Sequence, residues 1–126
     1  MLNFISHYIV ALIIFLVIDF FWLRIIAKKM YDAMIGSLLR DEFNLTAALI
    51  FYVFFIAGLT FFVILPADSW QFALLAGAFF GTLTYGTYDM TNMATLKGWP
   101  LQLTVIDIIW GSFLCGLTSL LTYLII

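Results

Sequence analysis

The sequence predicts an all-α integral membrane protein: a four-helix transmembrane bundle with a short amphipathic interfacial helix in its first connection. Of the 126 residues, 66% are apolar and only 10% are charged, whereas soluble domains carry roughly 45–50% and about 25%. The apolar residues form long runs, each close to the roughly 20 residues that a helix needs to cross the hydrocarbon core. These runs lack the alternation of apolar and polar residues that is typical of a membrane β-barrel.

We expect a single domain over residues 1–126, with spans at about 8–27, 45–65, 70–96 and 101–126. The first run is long and aromatic and has no small-residue cleavage pattern, so we interpret it as a retained span rather than a signal peptide. Asn44 and Ser69 are expected to cap the second and third helices. The segment Gly98-Trp99-Pro100 predicts the turn before the fourth helix.

The first connection, residues 28–43, is longer and more polar than the others. Its apolar residues recur at helical spacing between charged ones, which predicts an amphipathic helix lying in the membrane interface. Such a helix is either a lid over a site or a connector that buries one face. The apolar positions are Met30, Met34, Ile35, Leu38 and Leu39.

The basic residues predict the orientation. Arg24, Lys28, Lys29 and Arg40 flank the first connection, and Lys97 lies in the third. Because Lys and Arg are enriched in cytoplasmic connections, we expect both termini outside the cytoplasm. The five basic residues form no patch suited to nucleic acid. The apolar composition instead predicts that the protein is surrounded by the lipid bilayer.

Three aspartates interrupt the predicted spans, and an acid within a span is by default a functional-site candidate. Asp19 lies in the first span, Asp89 in the third and Asp107 in the fourth. With the predicted helix ends, each lies about eight residues from the inner end of its helix, or about 12 Å at 1.5 Å per residue. The three are therefore expected at one depth, facing a pocket open to the cytoplasm.

The helix faces favour close packing around these acids. Ala73, Gly77 and Gly81 form a small-residue ladder on the third span, which we expect to be the central helix. A stripe of small and polar residues follows the fourth span, and the second span, which has no such stripe, is assigned to lipid contact and packing. The stripe comprises Thr104, Asp107, Gly111, Cys115, Thr118 and Thr122.

A short motif, Val-Ile-Asp-x-x-Trp, occurs at 17–22 and again at 105–110. Asp and Trp three positions apart share a helix face. One interpretation is that two antiparallel helices flank a pocket with equivalent acids and Trp walls. The other is coincidence in a biased composition, with tryptophans near an interface.

The segment from Tyr85 to Pro100, YGTYDMTNMATLKGWP, followed by Asp107-x-x-Trp110-Gly111, resembles the signature of a bacterial integral-membrane family catalogued as domain of unknown function 2177. Asp19-x-x-Trp22 resembles its N-terminal counterpart. The resemblance covers nearly the whole chain and implies a small multi-span protein of a bacterial inner (cytoplasmic) membrane. It implies no activity.

Three classes of function fit the acids. The first is a proton-linked or cation or small-solute transporter or binding protein, in which Asp89 exchanges a proton against a small cationic solute. Tyr85, Tyr88 and Asn92 would orient the solute, while Trp22 and Trp110 would hold its charge against their rings. Four spans are few for a complete pathway, so this hypothesis favours a homodimer.

The second class is a membrane-embedded enzyme that modifies a lipid, with the aspartates as acid and base or as ligands of a divalent cation. Arg24 or Lys97 would then bind the head-group phosphate. The metal ligands, if any, would be Asp19, Asp89 and Asp107. The third class is a structural subunit of a membrane complex, in which the acids only join helices; this explains one acid better than three.

Overall fold

The computed structural model describes residues 2–36 and 44–126, which contain five α-helices and two short π-helical segments. One π-helical segment, Trp22–Ala27, joins α1 to α2 without a break, and the other, Thr60–Ile64, continues α3. The α-helices are α1 Leu2–Phe21, α2 Lys28–Ile35, α3 Leu45–Leu59, α4 Trp70–Thr95 and α5 Leu101–Ile125.

Three helical stretches are long and apolar enough to cross a membrane: 3–35, 45–64 and 101–125. α4 has 26 residues and comparable length, but hydroxyl groups and Asp89 make its second half more polar. The outward faces of the bundle are apolar, as Phe54, Phe79 and Ile109 illustrate with 72%, 64% and 63% exposure. A surface of this kind suits lipid rather than water. The predicted all-α membrane bundle is confirmed, while the limits of the four spans stay a prediction.

The helix starts follow the predicted capping chemistry. The Asn44 side chain accepts a hydrogen bond from the backbone N–H of Ala47, 3.0 Å away. The Ser69 hydroxyl accepts one from Phe72 N–H at 3.1 Å. Such caps satisfy backbone donors that the first helical turn leaves without partners. Gly98 has a φ of 78°, a conformation that glycine adopts without strain, and it turns the chain from α4 towards α5.

The first connection begins differently from the prediction. No break separates α1 from α2, because helical structure continues from Leu2 through Ala27 to Ile35. The α2 helix is amphipathic, with Ile35 buried and Lys28, Lys29 and Asp32 exposed. The predicted positions Leu38, Leu39 and Arg40 lie outside the described residues.

The closest helix pair is α4 with α5. Gly77 and Gly81 of α4 are buried, and a Cβ atom at Gly77 would lie 2.8 Å from the carbonyl oxygen of Cys115. A Cβ at Gly81 would overlap the carbonyl group of Gly111. The small-residue ladder therefore lets the two backbones touch, as predicted for that face.

The central helix is α5 and not, as expected, α4. α5 contacts α1, α2, α4 and the second π-helical segment, and its whole small and polar stripe from Thr104 to Thr122 is buried. Only four residues of α4 are buried, and Tyr88 and Thr91 on its polar half are exposed. The small residues of α5 allow neighbouring helices to approach from several sides, whereas the small residues of α4 form only one narrow face.

Candidate functional site

A cavity of about 320 Å³ lies among all five helices. Some of its lining residues, such as Phe51 and Tyr88, are exposed, so the cavity reaches the molecular surface. Its walls combine two carboxyl groups with many aromatic rings. The lining residues are Asp19, Trp22, Leu23, Tyr31, Phe51, Tyr52, Thr84, Tyr85, Tyr88, Asp107 and Trp110.

Asp19 is only 6% exposed and is held from two sides. One carboxyl oxygen accepts a hydrogen bond from the Tyr52 hydroxyl at 3.0 Å. The other accepts one from the indole N–H of Trp110 at 3.2 Å. Donors on α3 and α5 therefore fix an acid on α1, which stabilises the carboxylate without neutralising its charge.

Asp107 is 5% exposed and has a donor on α2. The Tyr31 hydroxyl donates a hydrogen bond to one of its oxygens at 2.7 Å. Along α1 and α2 the order is Asp19 then Tyr31, and their partners Trp110 and Asp107 follow in the reverse order on α5. The two helices are therefore antiparallel, as the topology predicted.

The two tryptophans of the repeated motif stack on each other. Their ring centroids are 4.4 Å apart and their planes differ by 9°. The mutually facing sides of Trp22 and Trp110 are therefore occupied by each other, and only the outer faces can meet a cation. The indole N–H of Trp22 is buried and has no hydrogen-bond acceptor within residues 2–36 and 44–126.

Asp89 is fully buried but is not among the cavity-lining residues. Neither of its carboxyl oxygens has a hydrogen-bond donor among the described residues. The carboxyl group of Asp107 lies close enough for the two groups to interact. Asp107 therefore links the cavity to a second acid behind it.

The other residues expected at the site fall into two groups. Tyr85 and Tyr88 line the cavity, whereas Asn92 lies outside its lining, within reach of the Tyr88 hydroxyl. Arg24 is exposed, with its guanidinium carbon 5.9 Å from the centre of the Phe20 ring, and Lys97 is exposed as well. Neither basic residue lines the cavity.

Within the part of the chain that the structure describes, no three Asp, Glu, His or Cys side chains could together hold a metal ion. Asp19 therefore does not complete a three-ligand set with Asp89 and Asp107. The single cysteine, Cys115, is buried in the apolar core beside Leu114 and Phe55, where it serves packing.

Sequence reasoning missed five lining residues. Tyr31 lies beyond the expected end of the first span, and Tyr52 lies in the helix that was assigned to lipid contact. Tyr52 could have been found from the sequence, because it is the one tyrosine among the phenylalanines of α3. A buried Tyr hydroxyl usually has a hydrogen-bond partner. No comparable signal marks Leu23, Phe51 and Thr84.

The chain matches the family model described as predicted membrane protein (DUF2177) over residues 4–124. The chain belongs to this family. The matched range includes all three aspartates and both Asp-x-x-Trp motifs, and the resemblance inferred from them is confirmed. No curated protein and no solved structure matches the chain. The family description supports a place in the lipid bilayer.

Proposed function

We propose that this protein binds a small organic cation in the cavity between Asp19 and Asp107 and exchanges it against protons, as a transporter or a binding protein. The observation that carries the proposal is the pair of buried carboxyl groups in a cavity whose lining, within residues 2–36 and 44–126, includes no basic residue.

The charge in the cavity lacks a partner from the described protein. An Asp at the centre of a membrane helix costs about 2.5–3.5 kcal/mol. The described basic residues Arg24, Lys28, Lys29 and Lys97 are all exposed, and the donors on Asp19 and Asp107 are uncharged. A proton or a cation that enters the cavity would neutralise these carboxylates, which the described basic residues do not.

The walls favour an organic cation over a hydrated inorganic ion. Small-molecule sites occupy about 300–1,000 Å³ and are mostly apolar with a few polar groups, and a cavity of about 320 Å³ lined by Trp22, Tyr31, Phe51 and Tyr85 resembles the small end of this range. Aromatic faces attract ammonium groups, most strongly when water is excluded. Carboxylates with aromatic walls thus suit an amine or a quaternary ammonium.

Asp89 supports proton exchange. Two neighbouring carboxylates in a medium of low dielectric constant repel each other strongly, and a proton held by Asp89, which has no hydrogen-bond donor among the described residues, would relieve this repulsion. A cation arriving at Asp107 would displace that proton. Four membrane spans are few for a complete pathway, so the transport form of the proposal includes a homodimer.

The test is a binding measurement with the purified full chain in lipid nanodiscs. We expect calorimetric titration to detect binding of a simple amine such as n-propylamine at neutral pH. Asp19→Asn and Asp107→Asn should each weaken binding by at least about tenfold, since each removes a buried charge that faces the ligand. Asp68→Asn is the matched control, because Asp68 is exposed in the connection before α4.

The proton step is tested by flux. Proteoliposomes with a trapped pH-sensitive dye should report proton movement when n-propylamine or tetramethylammonium is added outside, and Asp89→Asn should abolish it. The permanently charged tetramethylammonium excludes passive diffusion of a neutral amine as the cause. Equal binding by the Asp19 and Asp107 variants and the wild type would remove the basis of the proposal.

A further inference from the structure

The cavity has a rim of exposed side chains. Three of its lining residues are exposed, and they come from three different helical segments: Leu23 is 42%, Phe51 53% and Tyr88 56% exposed. The acids Asp19 and Asp107 lie deeper, with 6% and 5% exposure. We call Leu23, Phe51 and Tyr88 the rim, and the two acids lie at the floor of the cavity behind it.

The rim lies where α3 and α4 separate. Near the short connection that joins these helices, the ring of Phe55 packs against that of Phe80, with centroids 5.5 Å apart. One turn farther from the connection, the Phe51 ring packs against neighbours in its own helix, and the Tyr88 ring packs against Trp99. No aromatic pair among the described residues therefore bridges α3 and α4 at this level, which leaves space between the two helices.

This space lies at the depth of the lipid chains. α3 and the π-helical segment that continues it form a stretch of 20 residues, 45–64, which is about 30 Å long and matches the hydrocarbon core. Phe51 lies about 9 Å from the start of this stretch, and Tyr88 lies about 10 Å before the end of α4, at 1.5 Å per residue. Because α3 and α4 are antiparallel, both distances are measured from the same end of the bundle. The rim therefore faces lipid chains.

We infer that the cavity opens sideways into the bilayer and that its ligand is a long-chain amine. The ammonium group lies between Asp19 and Asp107, and the alkyl chain passes the rim into the lipid. This inference rests on the proposed function and names the class of cation. Acids at the floor attract the charged head of such a ligand, while Leu23 and Phe51 at the rim contact its apolar chain.

The charges favour an amine that carries no phosphate. Among the described residues the cavity lining includes no Lys or Arg, and Arg24 and Lys97 are exposed outside it. A phosphate beside Asp19 and Asp107 would meet two acids and no cation, whereas an ammonium group alone meets only opposite charge. The head group of an aminophospholipid, which joins a phosphate to its ammonium group, is therefore disfavoured.

The first experiment is photolabelling of the wild-type full chain in phosphatidylcholine nanodiscs, with dodecylamine that carries a diazirine in the middle of its chain. Peptide mass spectrometry should place the label mainly around Phe51 and Tyr88. Excess n-propylamine should suppress this labelling, because it occupies the acids. Dodecanol with the same diazirine is the matched control: it has the chain without the ammonium group. The alcohol should label lipid-facing residues such as Phe54 and Phe79 as readily as the rim, and n-propylamine should not affect it.

The second experiment measures affinities with Leu23→Gln, which makes the rim polar and leaves both acids in place. The ratio of dodecylamine affinity to n-propylamine affinity should fall at least about fourfold, the effect of exposing one CH₂ group. Ile25→Gln is the matched control, because Ile25 is 61% exposed in the same π-helical segment and lies outside the lining of this cavity. Partition of dodecylamine into the bilayer is common to all variants and cancels from the comparison.

The outcomes separate this inference from the proposed function. If n-propylamine binds but the amine and the alcohol label the same residues, the inference fails and cation binding stands. The same holds if Leu23→Gln changes the affinity ratio no more than Ile25→Gln does. If neither amine binds, both proposals fail. Protection from the amine label by added phosphatidylethanolamine would assign the cavity to an aminophospholipid and overturn the choice of an amine without phosphate.

Discussion

A single methyl group at Gly81 should separate α4 and α5, the helices that carry Asp89 and Asp107. The Cβ of an alanine there would overlap the carbonyl carbon and oxygen of Gly111 and lie 3.0 Å from the Cβ of Cys115. The overlapped atoms belong to the backbone of α5, so no side-chain rotation relieves the collision. Overpacking of this kind costs about 1–3 kcal/mol, and we expect Gly81→Ala near the upper limit, less the ~0.5–1 kcal/mol that alanine gains over glycine in a helix.

Gly86→Ala is the matched control on the same helix. A Cβ at Gly86 would lie 3.9 Å from the Cδ1 atom of Ile108, which is ordinary van der Waals contact. This variant should therefore be as stable as the wild type or slightly more stable. Because the helix-propensity gain is common to both variants, the free energy of unfolding of Gly81→Ala should be about 3 kcal/mol lower than that of Gly86→Ala.

The assay is reversible unfolding of the purified protein in mixed micelles, titrated with a denaturing detergent and followed by tryptophan fluorescence. Amine binding by the same samples then shows whether the displacement of α5 also disturbs the cavity, which we expect because Tyr85 packs against Gly111 and lines the cavity. Equal stability of Gly81→Ala and Gly86→Ala would refute the close approach of α4 and α5, and with it the argument that α5 is the central helix.

Three further predictions concern the cavity and its orientation. Tyr31→Phe removes the 2.7 Å hydrogen bond to Asp107 and should lower the free energy of unfolding by about 1.5–3 kcal/mol, as expected for a bond to a charged group; Tyr123→Phe, measured by the same detergent titration, should change it little. Cysteines at positions 19 and 107 in a Cys115→Ala background should be joined by a short bifunctional reagent, because both positions line one cavity, and failure with every linker length would separate them. A periplasmic reporter fused after Ile126 should be active if the basic residues set the orientation, whereas activity of a cytoplasmic reporter there would reverse it.

The fold was predictable because it depends on quantities that a sequence displays directly. The length and apolar content of the runs predict membrane-spanning helices. Asn44 and Ser69 mark helix starts, because their side chains can accept hydrogen bonds from the first-turn backbone N–H groups. The order of packing was harder to predict. α4 carries more polar residues than the other long helices, and this suggested a central position, but polarity at Tyr88 and Thr91 lies on the exposed side of the helix.

The site was predictable in part for a similar reason. The sequence alone shows acids within the predicted spans and a tryptophan three positions after two of them. The structure places both Asp-x-x-Trp pairs in the lining of one cavity: Asp19, Trp22, Asp107 and Trp110. Their hydrogen-bond partners depend on which helices are neighbours. Tyr52 meets Asp19 only because α3 packs beside α1, and no spacing within either helix encodes that contact.

The π-helical segment after Phe21 explains how one continuous helical stretch supplies both Asp19 and the donor for Asp107. In an unbroken α-helix of 3.6 residues per turn, positions 19 and 31 are offset by about 120° around the axis, and Tyr31 would face away from the cavity that Asp19 lines. The wider turns of Trp22–Ala27 rotate each residue by a smaller angle and reduce this offset. Both side chains then face α5, Asp19 at Trp110 and Tyr31 at Asp107. Such segments are frequent at functional sites, and here the local change of helix geometry brings the Tyr31 hydroxyl to the carboxyl group of Asp107.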